Sequence, residues 1–107
     1  MNQGRNITDY LNDILQYSKD VLEFTKDLSS EKFKNDKKTI YAVVRSLEII
    51  GEAARKIPTD FRRRHPEIPW RDIAGMRDKL VHDYTGIDLD IVWKTAIEDI
   101  PNLHRGI

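Results

Sequence analysis

Between Met76 and Gly86 the sequence reads MRDKLVHDYTG, setting Arg77, Asp78, His82 and Tyr84 within eight residues of one another. These residue types share a chemistry. A histidine near its ordinary pKa of about 6.5 takes or gives a proton at neutral pH, and arginine is a permanent, fork-shaped donor to phosphate oxygens. Together they suit RNA cleavage without a metal. One imidazole removes the proton of a ribose 2′-hydroxyl, the resulting oxyanion attacks the adjacent phosphate, and the guanidinium steadies the added charge as the 5′-oxygen leaves. Asp78 is placed to orient the His82 ring, and a second histidine from a second protomer would supply the acid.

Read as a regular helix, the spacing is only partly favourable. At about 100° per residue, Asp78 and His82 face each other and Arg77 shares a stripe with Tyr84, but Arg77 and His82 stand roughly 140° apart. Convergence then needs a reaching arginine, a helix loosened near Gly75, or a second copy of the helix in a twofold dimer. A plainer arrangement also fits: His82 bonded to Asp78, Arg77 paired with a surface carboxylate, and Tyr84 closing the core. Spacing by itself favours the plainer arrangement, because a short Arg-x4-His arises by chance in helices this charged.

The elements that must position these residues are legible from apolar periodicity. Ile7, Leu11, Ile14, Leu15, Val21, Leu22 and Leu28 predict a first helix from Thr8, as N-cap, to Asp27. The segment SSEKFKNDKK reads as polar and mobile. Ile40, Val43, Val44, Leu47, Ile50, Ala54 and Ile57 mark a second helix ending at Pro58, in which Gly51, Ala53 and Ala54 allow another backbone to approach. PTDFRRRHPEIPW, with three prolines, reads as a connection with one helical turn around Phe61. Trp70, Ile73, Met76, Leu80 and Tyr84 predict a third helix that carries the motif, stopped by Gly86. Asp88 caps a fourth helix through Leu89, Val92, Trp93, Ala96, Ile97 and Ile100, ending before Pro101. No β-type alternation occurs, so the expected fold is an all-α antiparallel bundle of four to five helices in one domain over residues 1–107.

Charge narrows the function classes. Lys plus Arg equal Asp plus Glu at 18 each, so any polyanion site must be local. Ala53 to Leu80 carries eight basic against four acidic residues, whereas Val81 to Ile107 carries two against five. The sharpest basic element is Arg62, Arg63 and Arg64 with His65, which reads equally as a phosphate-attracting patch and as a solvated loop. Arg45, Glu48, Glu52 and Lys56 lie away from the second helix's apolar stripe and suit ion pairing on a solvated face, with Glu52 alternatively reaching a dimer cleft. The absence of cysteine excludes disulfides and thiolate chemistry and suits a reducing cytoplasm. His65, His82 and His104 are too scattered for a metal site, so neither metal nor cofactor is expected. No apolar run approaches the roughly 18 residues of a membrane span, and no signal-type segment opens the chain, so the expectation is a soluble, cytoplasmic protein.

The stretches LEIIGEAARKIP, FRRRHPEIPWRDIAGMRDKLVHDYTGID and VWKTAIEDIP, in this order, with DYLNDIL at the first helix, resemble the HepT-like family of HEPN-domain proteins. The family's arginine, polar residue, histidine and tyrosine fall on Arg77, Asp78, His82 and Tyr84. The resemblance implies a dimerising helical bundle and a metal-independent ribonuclease toxin of a type VII toxin–antitoxin pair, and the internal transfer described above would leave 2′,3′-cyclic phosphate ends. It further implies a minimal nucleotidyltransferase of MntA type as antitoxin partner, with Arg77 and His82 catalytic and Tyr84 the acceptor of AMP. A non-catalytic module that only docks a nucleotidyltransferase is the competing reading.

Overall fold

The computed structural model describes residues 5–75, 81–82 and 86–106, with the backbone alone at 81, 82 and 87. Asn6 opens α1 (Ile7–Thr25): its Oδ1 accepts from the Asp9 amide at 3.1 Å, and the Asp9 carboxylate accepts from the Asn6 amide at 3.0 Å. This reciprocal cap satisfies two otherwise orphaned donors and displaces Thr8 from the capping role that its hydroxyl suggested. Beyond the helix, Asp27 takes a left-handed conformation, φ 63°, which its short polar side chain tolerates.

The polar segment after α1 is not a mobile connection. Ser29 caps a short helix, α2 (Ser30–Lys34), and drives Phe33 fully into the core, 5.2 Å from the Trp93 ring. One aromatic among polar residues carries no periodicity, yet burying it is worth about 1.5–3 kcal/mol and fixes the segment.

Asp36 caps α3 (Lys37–Arg55) by accepting from the Thr39 amide and hydroxyl, and those bonds hold its carboxyl below the usual aspartate range. The stabilisation that follows is present above the ordinary aspartate pKa and is lost as pH falls through the lowered one. The expected stripe of α3 is buried throughout, and Gly51, Ala53 and Ala54 are buried with it. Ile14 and Val21 of α1 meet Val43, Leu47 and Ile50 of α3 in one core.

The turn foreseen at Phe61 is α4 (Thr59–Arg64). Next comes α5 (Trp70–Ala74), anchored by the Trp70 indole, which donates to the His65 carbonyl at 2.9 Å and meets Phe61 edge-on. α5 ends at Ala74, and His82, which the periodicity places on the third helix, lies on a strand. Val81 and His82 form a strand, β1 (Val81–His82), paired antiparallel with β2 (Gly86–Ile87) so that Val81 opposes Ile87 and His82 opposes Gly86. Two features favour the ladder over the helix: β-branched residues at Val81 and Ile87, and Gly86 at φ +87°, where a side chain would be strained.

Asp88 caps α6 (Leu89–Lys94) as expected, its carboxylate accepting from the Ile91 amide. The chain then passes through a π-helical stretch (Thr95–Asp99) into α7 (Ile100–Gly106), so Pro101 does not end the helix. Proline lacks the amide and crowds the carbonyl four residues back. The wider register, in which the Ile100 amide reaches the Thr95 carbonyl, reorganises the bonding just ahead of it and lets the helix run on. Val92, Ala96, Ile100 and Leu103 complete the core, while Leu15 and Ile97 of the expected stripes stand 39% and 43% exposed at its edges. The fold is therefore an all-α bundle with one small hairpin, and among the described residues no helix is long and apolar enough to cross a membrane.

Removing the Phe33 ring tests whether α2 belongs to the fold. Phe33→Ala should lower the unfolding free energy in urea by about 3–5 kcal/mol, as for a buried aromatic, and not by the few tenths expected of a solvated connection.

Candidate active site

Arg77, Asp78 and Tyr84 lie outside the described residues, as does the side chain of His82, whose backbone is held in β1. The structure shows what leads into and out of this motif. On the entry side, Arg55 at the end of α3 donates from Nε to the Ala74 carbonyl at 2.8 Å, and the Gly75 amide closes α5 on the Arg71 carbonyl at 3.0 Å. Gly75 suits this end: a Cβ there would stand 3.3 Å from the Arg71 carbonyl oxygen. On the exit side the ladder passes into the Asp88 cap within two residues. Placing His82 on a strand removes the regular-helix geometry from which a facing Asp78 and an Arg77 roughly 140° away were reckoned.

Two clefts lie along α3, and one of them borders the entry. One, of about 140 Å³, lies between α3 and the end of α5 and is lined by Arg45, Glu48, Gly51, Glu52, Arg55 and Ala74. The other, of about 320 Å³, opens between the start of α1 and α3 beside Ile49, and Glu52 lines both. Arg45, Glu52 and Lys56 are exposed, as the second helix's polar face predicts. Sequence reasoning did not single out Arg55, although it falls on one helical face with Glu48 and Glu52, a spacing that marks it as a residue of the same cleft.

The arginine run divides. Arg62 is half-buried, and its guanidinium donates from Nε to the Ile57 carbonyl at 3.0 Å and from Nη2 to the Ala54 carbonyl at 2.6 Å. It binds a carbonyl of the last turn of α3 and one just beyond the helix, so its charge is committed to the fold and not presented to solvent as a phosphate patch requires. Arg63 is exposed, and Arg64 lies over the Phe61 ring at 5.9 Å. His65 stacks on the same ring and sits 3.5 Å from the Glu67 carboxylate. Among the described residues no group of three His, Cys, Asp or Glu side chains is arranged to hold a metal ion.

Residues 14–107 match the family model described as Ribonuclease HepT-like. The chain belongs to the HepT-like family. It is 56% identical over 99 residues to "Probable ribonuclease HepT" of Thermococcus cleftensis, covering 92% of this chain and 90% of that protein. A Methanocaldococcus jannaschii protein whose name carries the word RNase is 50% identical over 101 residues, covering 94% of this chain and 84% of its own length. A third such protein, from Caldanaerobacter subterraneus, is 46% identical over 98 residues, covering 92% and 88%. No solved structure gives a significant match. The HepT-like match spans the hairpin, the smaller cleft and all four motif positions.

The division of the arginine run can be measured. Arg62→Ala should lower stability in urea by about 1.5–3 kcal/mol, with Arg62→Lys failing to restore it because an ammonium cannot span two carbonyls, whereas Arg63→Ala should change stability by no more than about 0.5 kcal/mol.

Proposed function

We propose that this chain is a metal-independent endoribonuclease acting in the cytoplasm as the toxin of a HepT/MntA-type pair. One observation carries the reading: Arg77, Asp78, His82 and Tyr84 fall together inside a match to a ribonuclease family that spans residues 14–107. His82 takes the proton of a ribose 2′-hydroxyl as the 2′-oxygen bonds to phosphorus. Arg77 donates to the non-bridging oxygens, and the 5′-oxygen leaves with a proton from the second protomer's histidine. The bond formed is 2′-O–P and the bond broken is P–O5′, giving a 2′,3′-cyclic phosphate and a 5′-hydroxyl with no net change in protons. Asp78 orients the His82 ring. Transfer of AMP to the Tyr84 hydroxyl by a nucleotidyltransferase antitoxin adds bulk and negative charge beside Arg77, where the RNA phosphate would bind, and silences the enzyme.

The same reading calls for a homodimer, since one protomer supplies a single motif histidine, and α3 carries a self-complementary charge pattern. Arg45 and Glu52 stand two turns apart, with Ile49, half-buried, near their midpoint. In an antiparallel twofold pairing of α3 with its mate centred there, each Arg45 meets the mate's Glu52, and the end of α5 at Ala74, which shares their cleft, flanks the contact.

Expression of the chain with and without its variants tests the chemistry. Wild type should cleave RNA in EDTA and leave cyclic phosphate ends. His82→Ala should lose about 10²–10⁴-fold in rate and Arg77→Ala about 10²–10³-fold. Tyr84→Phe should cleave like wild type yet escape the nucleotidyltransferase, and mass spectrometry should place AMP on the peptide carrying Tyr84 in wild type alone. Cleavage abolished by chelation and restored by magnesium excludes the mechanism, and a chain that never cleaves RNA is a docking module.

The dimer has its own test by light scattering. Arg45→Glu should yield monomer at micromolar concentration, and adding Glu52→Arg to the same chain should restore the dimer by reversing the pair.

A further inference from the structure

Away from the motif, a groove of about 410 Å³ lies where α2, the start of α3 and the start of α6 meet, lined by Lys34, Asn35, Lys37, Ile40, Tyr41 and Leu89. Its volume falls within the roughly 300–1,000 Å³ of small-ligand sites. Tyr41 is 58% exposed, more than any other exposed large hydrophobic residue among those described. The groove floor is apolar, with Ile40 nearly buried and Phe33 fully so in the α2 turn that borders it. Lys34 reaches across to pair with Asp90 of α6, joining two of the walls.

The charge around this aromatic is one-sided. From Glu31 to Lys38 there are four lysines, at 32, 34, 37 and 38, against two acids, Glu31 and Asp36. The Asp36 carboxylate is turned into the α3 cap, bound to the Thr39 amide and hydroxyl. Lys37 and Lys38 are exposed beside Tyr41. A flat aromatic face flanked by cations that track a backbone is the arrangement by which proteins hold single-stranded nucleic acid: the base stacks, whatever its identity, and the lysines neutralise the neighbouring phosphates.

The groove also lies close to the chemistry. Leu89 is three residues after Gly86, a span of at most about 11 Å, and Gly86 opposes His82 across the ladder at about 5 Å. A short run of nucleotides covers that separation. The geometry points to a substrate subsite for single-stranded RNA in this groove, with one base stacked on Tyr41 and the adjoining phosphates held by Lys37 and Lys38. It rests on the ribonuclease reading for its substrate, but its binding is measurable without cleavage.

The probe is a fluorescein-labelled twelve-nucleotide 2′-O-methyl oligouridine, which lacks the attacking hydroxyl, read by fluorescence anisotropy on the full chain. Tyr41→Ala should weaken binding roughly ten- to a hundredfold, and Tyr41→Phe, which keeps the ring, should stay within about twofold of wild type. The double variant Lys37→Glu/Lys38→Glu should weaken binding and reduce the salt dependence by up to about two charges. On cleavable RNA, Tyr41→Ala should raise KM and leave kcat unchanged. Wild-type affinity in Tyr41→Ala overturns the subsite, as does a chain that does not bind the oligonucleotide. So does a dimer split by Tyr41→Ala with RNA affinity unchanged, which assigns the face to a protein contact. RNA cleavage with KM indifferent to Tyr41 overturns the subsite alone, whereas Tyr41-dependent binding without any cleavage keeps the subsite and overturns the ribonuclease reading.

Discussion

Helix α3 is the constraint on which the rest of the structure depends, because it packs against α1, α2, α5 and α6 and must satisfy all four at once. Nine of its residues are buried, and the small ones, Gly51, Ala53 and Ala54, fall near the end where α4 and α5 follow. A helix so enclosed has little freedom in how its ends are served. The first turn is closed by Asp36 within the chain's own sequence, and at the other end the Lys56 and Ile57 amides close on the Ala53 and Ala54 carbonyls, while Arg62 returns from α4 to add a bond to the Ala54 carbonyl and one to the Ile57 carbonyl just beyond the helix. Arg55, at the last turn, then reaches outward to the Ala74 carbonyl. The same helix end therefore receives one arginine and extends another, and through the second it sets where the chain leaves α5 for the motif.

What the sequence made legible follows from how many residues carry each signal. The stripes of α1 and α3 repeat over five turns, so a misplaced cap such as Asn6 for Thr8 shifts the boundary without altering the helix. Helix α2 rests on Phe33 alone, and a period cannot be read from one residue. The third helix misplaced His82 for a different reason: the hydrophobic spacing of Trp70, Ile73, Met76 and Leu80 carries on past it, whereas the Val81–His82 strand depends on pairing with Gly86 and Ile87, which spacing does not show. Pro101 was read as a stop because a regular helix cannot accept it, and a π register is not visible in hydrophobic spacing.

The candidate site divides along the same line. Residue types suggested a chemistry, and the family match covers the four motif positions, but periodicity gave the wrong local geometry for His82 by assuming one helix from Trp70 to Tyr84. Arg62 shows the reverse error. Its charge was plain in the sequence, whereas its use depends on the α3 end eight residues earlier, a proximity that only the assembled fold reveals.

A chain with no net charge that acts on a polyanion must separate its cations from its carboxylates locally, and the fold supplies the means. Asp36 and Asp88 are drawn into helix caps and Asp90 into a bridge with Lys34, which leaves Lys37 and Lys38 beside an exposed aromatic. Each of these carboxylates also serves stability: two satisfy orphan amides and one joins α2 to α6. Capping thus does double service, closing helices and biasing the surface potential of the groove next to the hairpin. On this view the affinity of the surface for RNA does not require a basic protein, only that the acids nearest the aromatic face be committed to the backbone and to one another's lysines.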